Sequence, residues 1–175
     1  MPPQVVLTSE ARESLLSLCP AVSNLVGWLD SIDRRPGLDE LAEKLSIMKP
    51  NINAVSECVD FSEDGYQRHV VKKNDFYELA AISWKPGQDT PIHDHIGSDC
   101  AFLVVSGTST ETIYQTNSEG HAFPISSRNY STGEICSADE PDIHRVSNEG
   151  DVGLIEIHVY TPPLGDYNIY SPAEI

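Results

Sequence analysis

The spacing of apolar residues changes part-way along the chain. In the first third, Leu15, Leu16 and Cys19 form one apolar stripe, Val22, Leu25, Val26 and Leu29 a second, and Leu38, Leu41, Ala42 and Leu45 a third. The second and third follow the i, i+3, i+4, i+7 spacing of a helix that buries one face. Thr8 or Ser9 can cap the first helix and Pro20 can end it, while Arg34-Arg35-Pro36-Gly37 separates the second from the third. A fourth short helix is expected over 52–58. From Tyr66 onward, pieces rich in Val, Ile, Tyr and Thr are divided by Asn-Asp, Pro-Gly, Ser-Gly, Glu-Gly and Thr-Gly turn signals. They predict strands over 66–72, 76–84, 90–95, 99–106, 109–116, 134–137, 143–148 and 152–161. Many short strands with such turns make a sandwich or barrel. The expectation is one domain over 1–175, with helices in 8–60 and a β-barrel in 66–165.

Composition narrows the partners. A hydrophobic share of 39% is globular. With 27 acidic residues against 11 basic ones, the formal charge is −16. Nucleic acid and anionic membrane both require a basic face, so neither is expected as a partner. An anionic substrate would need a local cation to receive it. The first ten residues lack the basic start and apolar core of a secretory leader, and no run approaches a membrane span. Cys19, Cys58, Cys100 and Cys136 show no Cys-x-x-Cys spacing. These features predict a cytoplasmic protein with reduced thiols, as a monomer or weak homo-oligomer.

The candidate chemistry centres on residues 91–107. His93 and His95 are two apart, so a strand over 90–95 would project both imidazoles from one face and Asp94 from the other. Neutral imidazoles gathered on one face are the start of a metal site. Gly87, His93, His95, Cys100 and Gly107 have a spacing that resembles the first cupin motif, with Cys100 standing where most cupins carry a glutamate ligand. Gly133, Pro141, His144 and Asn148 resemble the second motif, without its usual glycine between proline and histidine. The resemblance implies a mainly β fold, a cupin-type antiparallel β-barrel (double-stranded β-helix) holding one metal, here with an N-terminal layer of short α-helices.

A narrower resemblance rests on more residues. His93-Asp94-His95 with Cys100, His144-Arg145-Val146-Ser147-Asn148, His158-Val159-Tyr160-Thr161-Pro162-Pro163, Tyr66-Gln67-Arg68 and Trp84 together resemble the cysteine dioxygenase family over about residues 38 to 165. The resemblance implies that His93, His95 and His144 bind Fe(II), leaving open positions for substrate and O2. The reaction implied is L-cysteine plus O2 to cysteine sulfinate. Arg68, with Tyr66, would bind the substrate carboxylate through the planar guanidinium fork. Tyr160, His158 and Cys100 would serve catalysis, and some members of the family join this cysteine and tyrosine through a thioether.

Without the resemblance, these residues read differently. Arg68 is then a surface arginine on an edge strand, Tyr160 a half-buried strand tyrosine and Cys100 a small core hydrophobe. The strand alternation does favour a shared face for Glu156, His158 and Tyr160, opposite Ile155, Ile157 and Val159. The family usually has serine where this chain has Glu156, and a carboxylate there is expected to favour a charged His158 and change how Tyr160 donates its proton. The chain stops at Ile175, short of the C-terminal segment of the animal enzymes, which predicts a more open pocket mouth. His69 should face away from Arg68, and His121 should be solvated.

Two alternatives stand beside this reading. A dioxygenase for another small thiol, such as 3-mercaptopropionate, resembles this pattern but carries glutamine for the clamp arginine, usually lacks the cysteine and has His-Gln-Val in place of His144-Arg145-Val146. A shift of one residue would put Gln67 in the clamp position. The other alternative is a non-oxygenase metal-binding cupin, either an isomerase or a small-ligand binder, which would more often retain the glutamate ligand.

Overall fold

In the computed structural model, residues 4–48, 52–138 and 143–174 are described. The helical stripes form as the spacing predicts. Helix α1 (Ser9–Leu18) is capped by Thr8, whose Oγ1 accepts from the Ala11 N–H at 3.1 Å. Pro20 ends it and also opens α2 (Pro20–Ile32), where a missing N–H costs no hydrogen bond. Helix α3 (Leu38–Ser46) starts after Gly37, whose N–H donates to Glu40 Oε2, and α4 (Ile52–Cys58) follows. Leu15, Val22, Leu25, Leu29, Leu41 and Leu45 are all buried. No single helix among the described residues is long and apolar enough to cross a membrane. Taken together α1 and α2 would reach that length, but they are bent by 106°.

The β body contains β1 (Gln4–Val6), β2 (Gln67–Lys73), β3 (Glu78–Trp84), β4 (Asp99–Ser106), β5 (Thr108–Thr116), β6 (Ala122–Ser131), β7 (Ile135–Ala138), β8 (Ile143–Ser147) and β9 (Leu154–Thr161). They form a six-stranded sheet in the order β1-β2-β3-β9-β4-β7 and a three-stranded sheet in the order β6-β5-β8. The period of two sorts the large sheet into two faces. Leu79, Ala81, Leu103, Ile155, Ile157 and Val159 pack with the helices. Ala80, Ile82, Trp84, Phe102, Val104 and Leu154 point the other way and meet Val146 of the small sheet. Strand β9 is therefore buried along its whole length, one face on the helices and the other lining the space between the sheets. That second face carries the chemistry.

The structure corrects several sequence expectations. Residues 90–95 do not form a strand, and only isolated bridges occur there, including His93 with His144 and His93 with Ile169. Pro91 cannot donate to a ladder, which accounts for part of this. Strand β3 begins at Glu78 because Asn74 Oδ1 takes the N–H groups of Phe76 and Tyr77 into a turn. Two strands had no clear signal. One is β1, only three residues long; the other is β6, an edge strand with mostly exposed residues and Pro124 beside a register shift. Because β1 lies parallel to β2, with Gln4 opposite Arg68, Arg68 is not on an edge.

Candidate metal centre

Two backbone devices bring the histidines together. Gly87 adopts a φ of 83°, a left-handed conformation that favours glycine, and its N–H donates to the Asn148 carbonyl at 2.8 Å. Asn148 returns the contact, N–H to the Gln88 carbonyl at 2.9 Å and Nδ2 to the Trp84 carbonyl at 3.0 Å. The chain after Gly87 is thereby laid along β8. His93 and His144 then exchange backbone hydrogen bonds of 2.9 and 2.8 Å, which sets their side chains next to each other. Pro141 of the second motif lies outside the described residues.

One ring nitrogen from each of His93, His95 and His144 lies within 4.8 Å of the other two. His95 Nε2 is 3.1 Å from His93 Nε2 and 3.4 Å from His144 Nε2. Metal–nitrogen bonds of about 2.1 Å at angles of about 90–110° would separate such nitrogens by about 3.0–3.4 Å. The tautomers agree with this fit. His93 Nδ1 donates to the Pro91 carbonyl at 2.8 Å, and His144 Nδ1 to Glu111 Oε1 at 2.9 Å, so in both rings the lone pair sits on Nε2. Burial, reinforced by the neighbouring imidazoles, pushes the His93 pKa down to about 4 and His95 well below its ordinary value. Converging lone pairs with no proton between them are suited to a cation.

Beside the imidazoles runs the row on β9. His158 Nε2 is 2.6 Å from Glu156 Oε2, and His158 Nδ1 is 3.1 Å from Tyr160 Oη. Cys100 stands opposite Tyr160 in the β4–β9 ladder, with its Sγ 3.6 Å from the same Nδ1. All four side chains are buried. Burial raises the pKa of both the Cys100 thiol and the Tyr160 phenol well above their ordinary values, so both hold their protons. The Tyr160 ring meets His95 edge-on, with centroids 5.5 Å apart.

Arg68 reaches the same cavity from β2 and is only 7% exposed. Its guanidinium carbon lies 5.0 Å from the Tyr160 ring centroid. One arm is bonded to the buried Glu78, which also meets Lys73 Nζ at 3.1 Å, while the buried Nε has no hydrogen-bond partner among the described residues. Burial works against the Arg68 cation, and Tyr160 and Glu78 outweigh it, so its pKa stays above the ordinary value. Gln67 is turned toward the carbonyls of Gly65 and Tyr66, so Arg68 is the residue facing the cavity. Tyr66 stacks on Trp84, and both line the cavity. His69 faces away, as the alternation requires, accepting from the Asp60 N–H at 3.1 Å.

The segment after β9 contributes to the mouth of the cavity. Residues after β9 fold back so that Leu164 and Tyr167 join the lining. Asp94, on the far side from the ligand nitrogens, pins this segment by accepting from Asn168 N–H at 2.9 Å, Asn168 Nδ2 at 3.0 Å and Tyr170 Oη at 2.7 Å. Sequence reasoning missed Glu111, Glu78 and Tyr167. For Glu111 one signal was present, the lone charged residue in the middle of a strand otherwise made of Thr, Ser, Ile, Tyr and Gln.

Imidazoles clustered between two facing sheets define a metal-capable cupin, a double-stranded β-helix. A family model described as cysteine dioxygenase type I matches residues 20–173, and the chain belongs to that family. Among curated relatives, cysteine dioxygenase type 1 of Rattus norvegicus is 27% identical over 109 residues, which cover 59% of this chain and 54% of the relative. That of Danio rerio is 27% identical over 133 residues, covering 73% and 66%. The chain thus matches about half the length of the rat protein. Two solved structures share the fold. A Klebsiella pneumoniae protein with a double-stranded β-helix domain has a TM-score of 0.56 at 22% identity, covering 67% of this chain and 88% of its own. A Thermus thermophilus protein has a TM-score of 0.52 at 17% identity, covering 60% and 90%.

Proposed function

We propose that this protein is a thiol dioxygenase that converts L-cysteine and O2 to cysteine sulfinate, with His93, His95 and His144 holding a mononuclear ferrous ion. The observation that carries the reading is the placement of three converging imidazole nitrogens and a buried arginine with an unsatisfied Nε–H on one cavity. A ferrous ion held there would supply the redox chemistry by which both atoms of dioxygen reach the sulfur.

The chain's own groups supply binding and proton control. Arg68 offers its free N–H donors to the substrate carboxylate, in a protein whose net charge would otherwise repel an anion. Glu78 fixes the other arm of the guanidinium, so little side-chain freedom remains to be lost on binding. Trp84, Ile82 and Val146 form an apolar wall that keeps water from the thiol. Tyr160 retains its phenolic proton because it is buried, and His158 Nδ1 is within reach to accept it.

The substrate assignment follows from the same residues. L-cysteine and 3-mercaptopropionate both carry a carboxylate, and an arginine clamp beside Cys100 favours cysteine by the family pattern. The test is turnover of L-cysteine by ferrous-loaded protein under isotopically labelled O2. Cysteine sulfinate carrying two labelled oxygens supports the reading, and sulfinate carrying one label or none rejects it.

A further inference from the structure

We propose that Glu111 is a positioning residue for the metal: it fixes the tautomer and direction of His144 and supplies the buried negative charge behind that ligand. The inference rests on the reading of His93, His95 and His144 as metal ligands. Glu111 is in β5, where it pairs with Val146, while Ile113 pairs with His144. Residues opposite each other in a ladder share a face, so Glu111 is on the inward face with His144. It is 3% exposed. Its carboxylate takes three contacts, from His144 Nδ1 at 2.9 Å, Tyr130 Oη at 3.3 Å and Cys136 Sγ at 3.6 Å.

A buried carboxylate without a compensating cation is costly. Among the described residues, the ion-pair contact of Glu111 is with His144 alone, and that imidazole directs its other nitrogen to the place where the three nitrogens converge. A divalent cation held by these nitrogens would balance the carboxylate across the His144 ring. Carboxylate–histidine–metal relays make the ligand more basic and strengthen metal binding. The three ligands are not equivalent in this respect. His93 Nδ1 donates to a neutral carbonyl, of Pro91, whereas His144 donates to an anion. His144 is therefore the most electron-rich of this pair, and the metal feels the charge of Glu111 through it.

The test compares Glu111→Gln and Glu111→Ala with the parent chain. Glutamine keeps the acceptor and the shape but loses the charge; alanine loses both. Affinities for Co(II) and Fe(II) are read by competition with a chromophoric chelator, with the iron midpoint potential and the thermal unfolding of the metal-free protein measured in parallel. The expected loss of affinity is about tenfold for Glu111→Gln and about 100-fold for Glu111→Ala. The midpoint potential of Glu111→Gln should rise, because a nearby anion favours the ferric state and its removal does not. If the alanine variant fails to fold, the glutamine variant still decides. A folded Glu111→Gln protein with parental affinity and potential overturns the role of Glu111 alone. A parent chain that binds neither metal overturns the metal-centre reading, and this inference with it.

Discussion

Cys100 and Tyr160 face each other across the β4–β9 ladder, with His158 Nδ1 3.6 Å from the sulfur and 3.1 Å from the phenol oxygen. Cross-strand partners are the side chains a sheet holds closest. Turnover with iron and O2 should therefore join some of the protein through a thioether, releasing two hydrogens to the oxidant. Mass spectrometry of digested protein should find a peptide pair containing Cys100 and Tyr160, lighter by two hydrogens than its separate parts. Only separate peptides after prolonged turnover would reject the link.

Glu156 should matter for both stability and rate. His158 Nε2–H donates to it at 2.6 Å, which leaves Nδ1 to accept from Tyr160. Replacement by alanine leaves a buried N–H unpaired, at a cost of about 1–3 kcal/mol in unfolding free energy. Glu156→Ser, the residue usual in the family, should restore part of that stability and alter kcat more than KM, because the row touches proton transfer and not the carboxylate. A change in KM as large as the change in kcat would contradict this role.

Arg68→Ala should raise the KM for L-cysteine. A charge-assisted pair is worth about 1.5–3 kcal/mol, or roughly 10- to 150-fold in affinity. The same change strands Glu78 with only the half-exposed Lys73, so unfolding should also become easier. Glu78→Gln in the Arg68→Ala background separates the two effects by removing the stranded charge. An unchanged KM rejects the clamp.

Acid should destabilise the metal-free protein through histidines kept neutral by burial. His69 and His93 have folded pKa values below their ordinary 6.5, that of His93 at about 4. Between those limits the unfolded chain binds protons that the folded chain refuses. Their contribution is thus complete above about pH 6.5 and is lost as the pH falls toward about 4. Denaturant unfolding across that range should show stability falling with pH. The slope should be shallower in His69→Gln, whose side chain lies away from the metal site. A flat profile would contradict the neutral, buried state.

What the sequence revealed and what it hid have different physical origins. The imidazoles of His93, His95 and His144 were legible because local turns, at Gly87 and Asn148, fix the spacing that brings them together. The Glu156, His158 and Tyr160 row was legible because a strand alternates with a period of two. Glu111 and Glu78 were not, since their partners depend on the register between separate strands, which periodicity does not encode. Strand β6 escaped notice because an edge strand with little buried surface carries almost no hydrophobic alternation. Apart from the family resemblance, Arg68 read as an edge residue, because the short β1 that covers its strand carries no clear pattern. The fold-back that brings Leu164 and Tyr167 to the cavity was hidden because Asp94 holds it through long-range contacts to Asn168 and Tyr170.

The most direct measurement is oxygen uptake by ferrous-loaded protein, with L-cysteine and 3-mercaptopropionate run side by side and the products identified by mass. The account predicts uptake with both the reaction and the preference on one side, cysteine sulfinate formed faster than the other sulfinate. Faster oxidation of 3-mercaptopropionate would contradict the assignment of L-cysteine as the substrate, and no uptake with either thiol, in protein shown to contain iron, would contradict the dioxygenase itself.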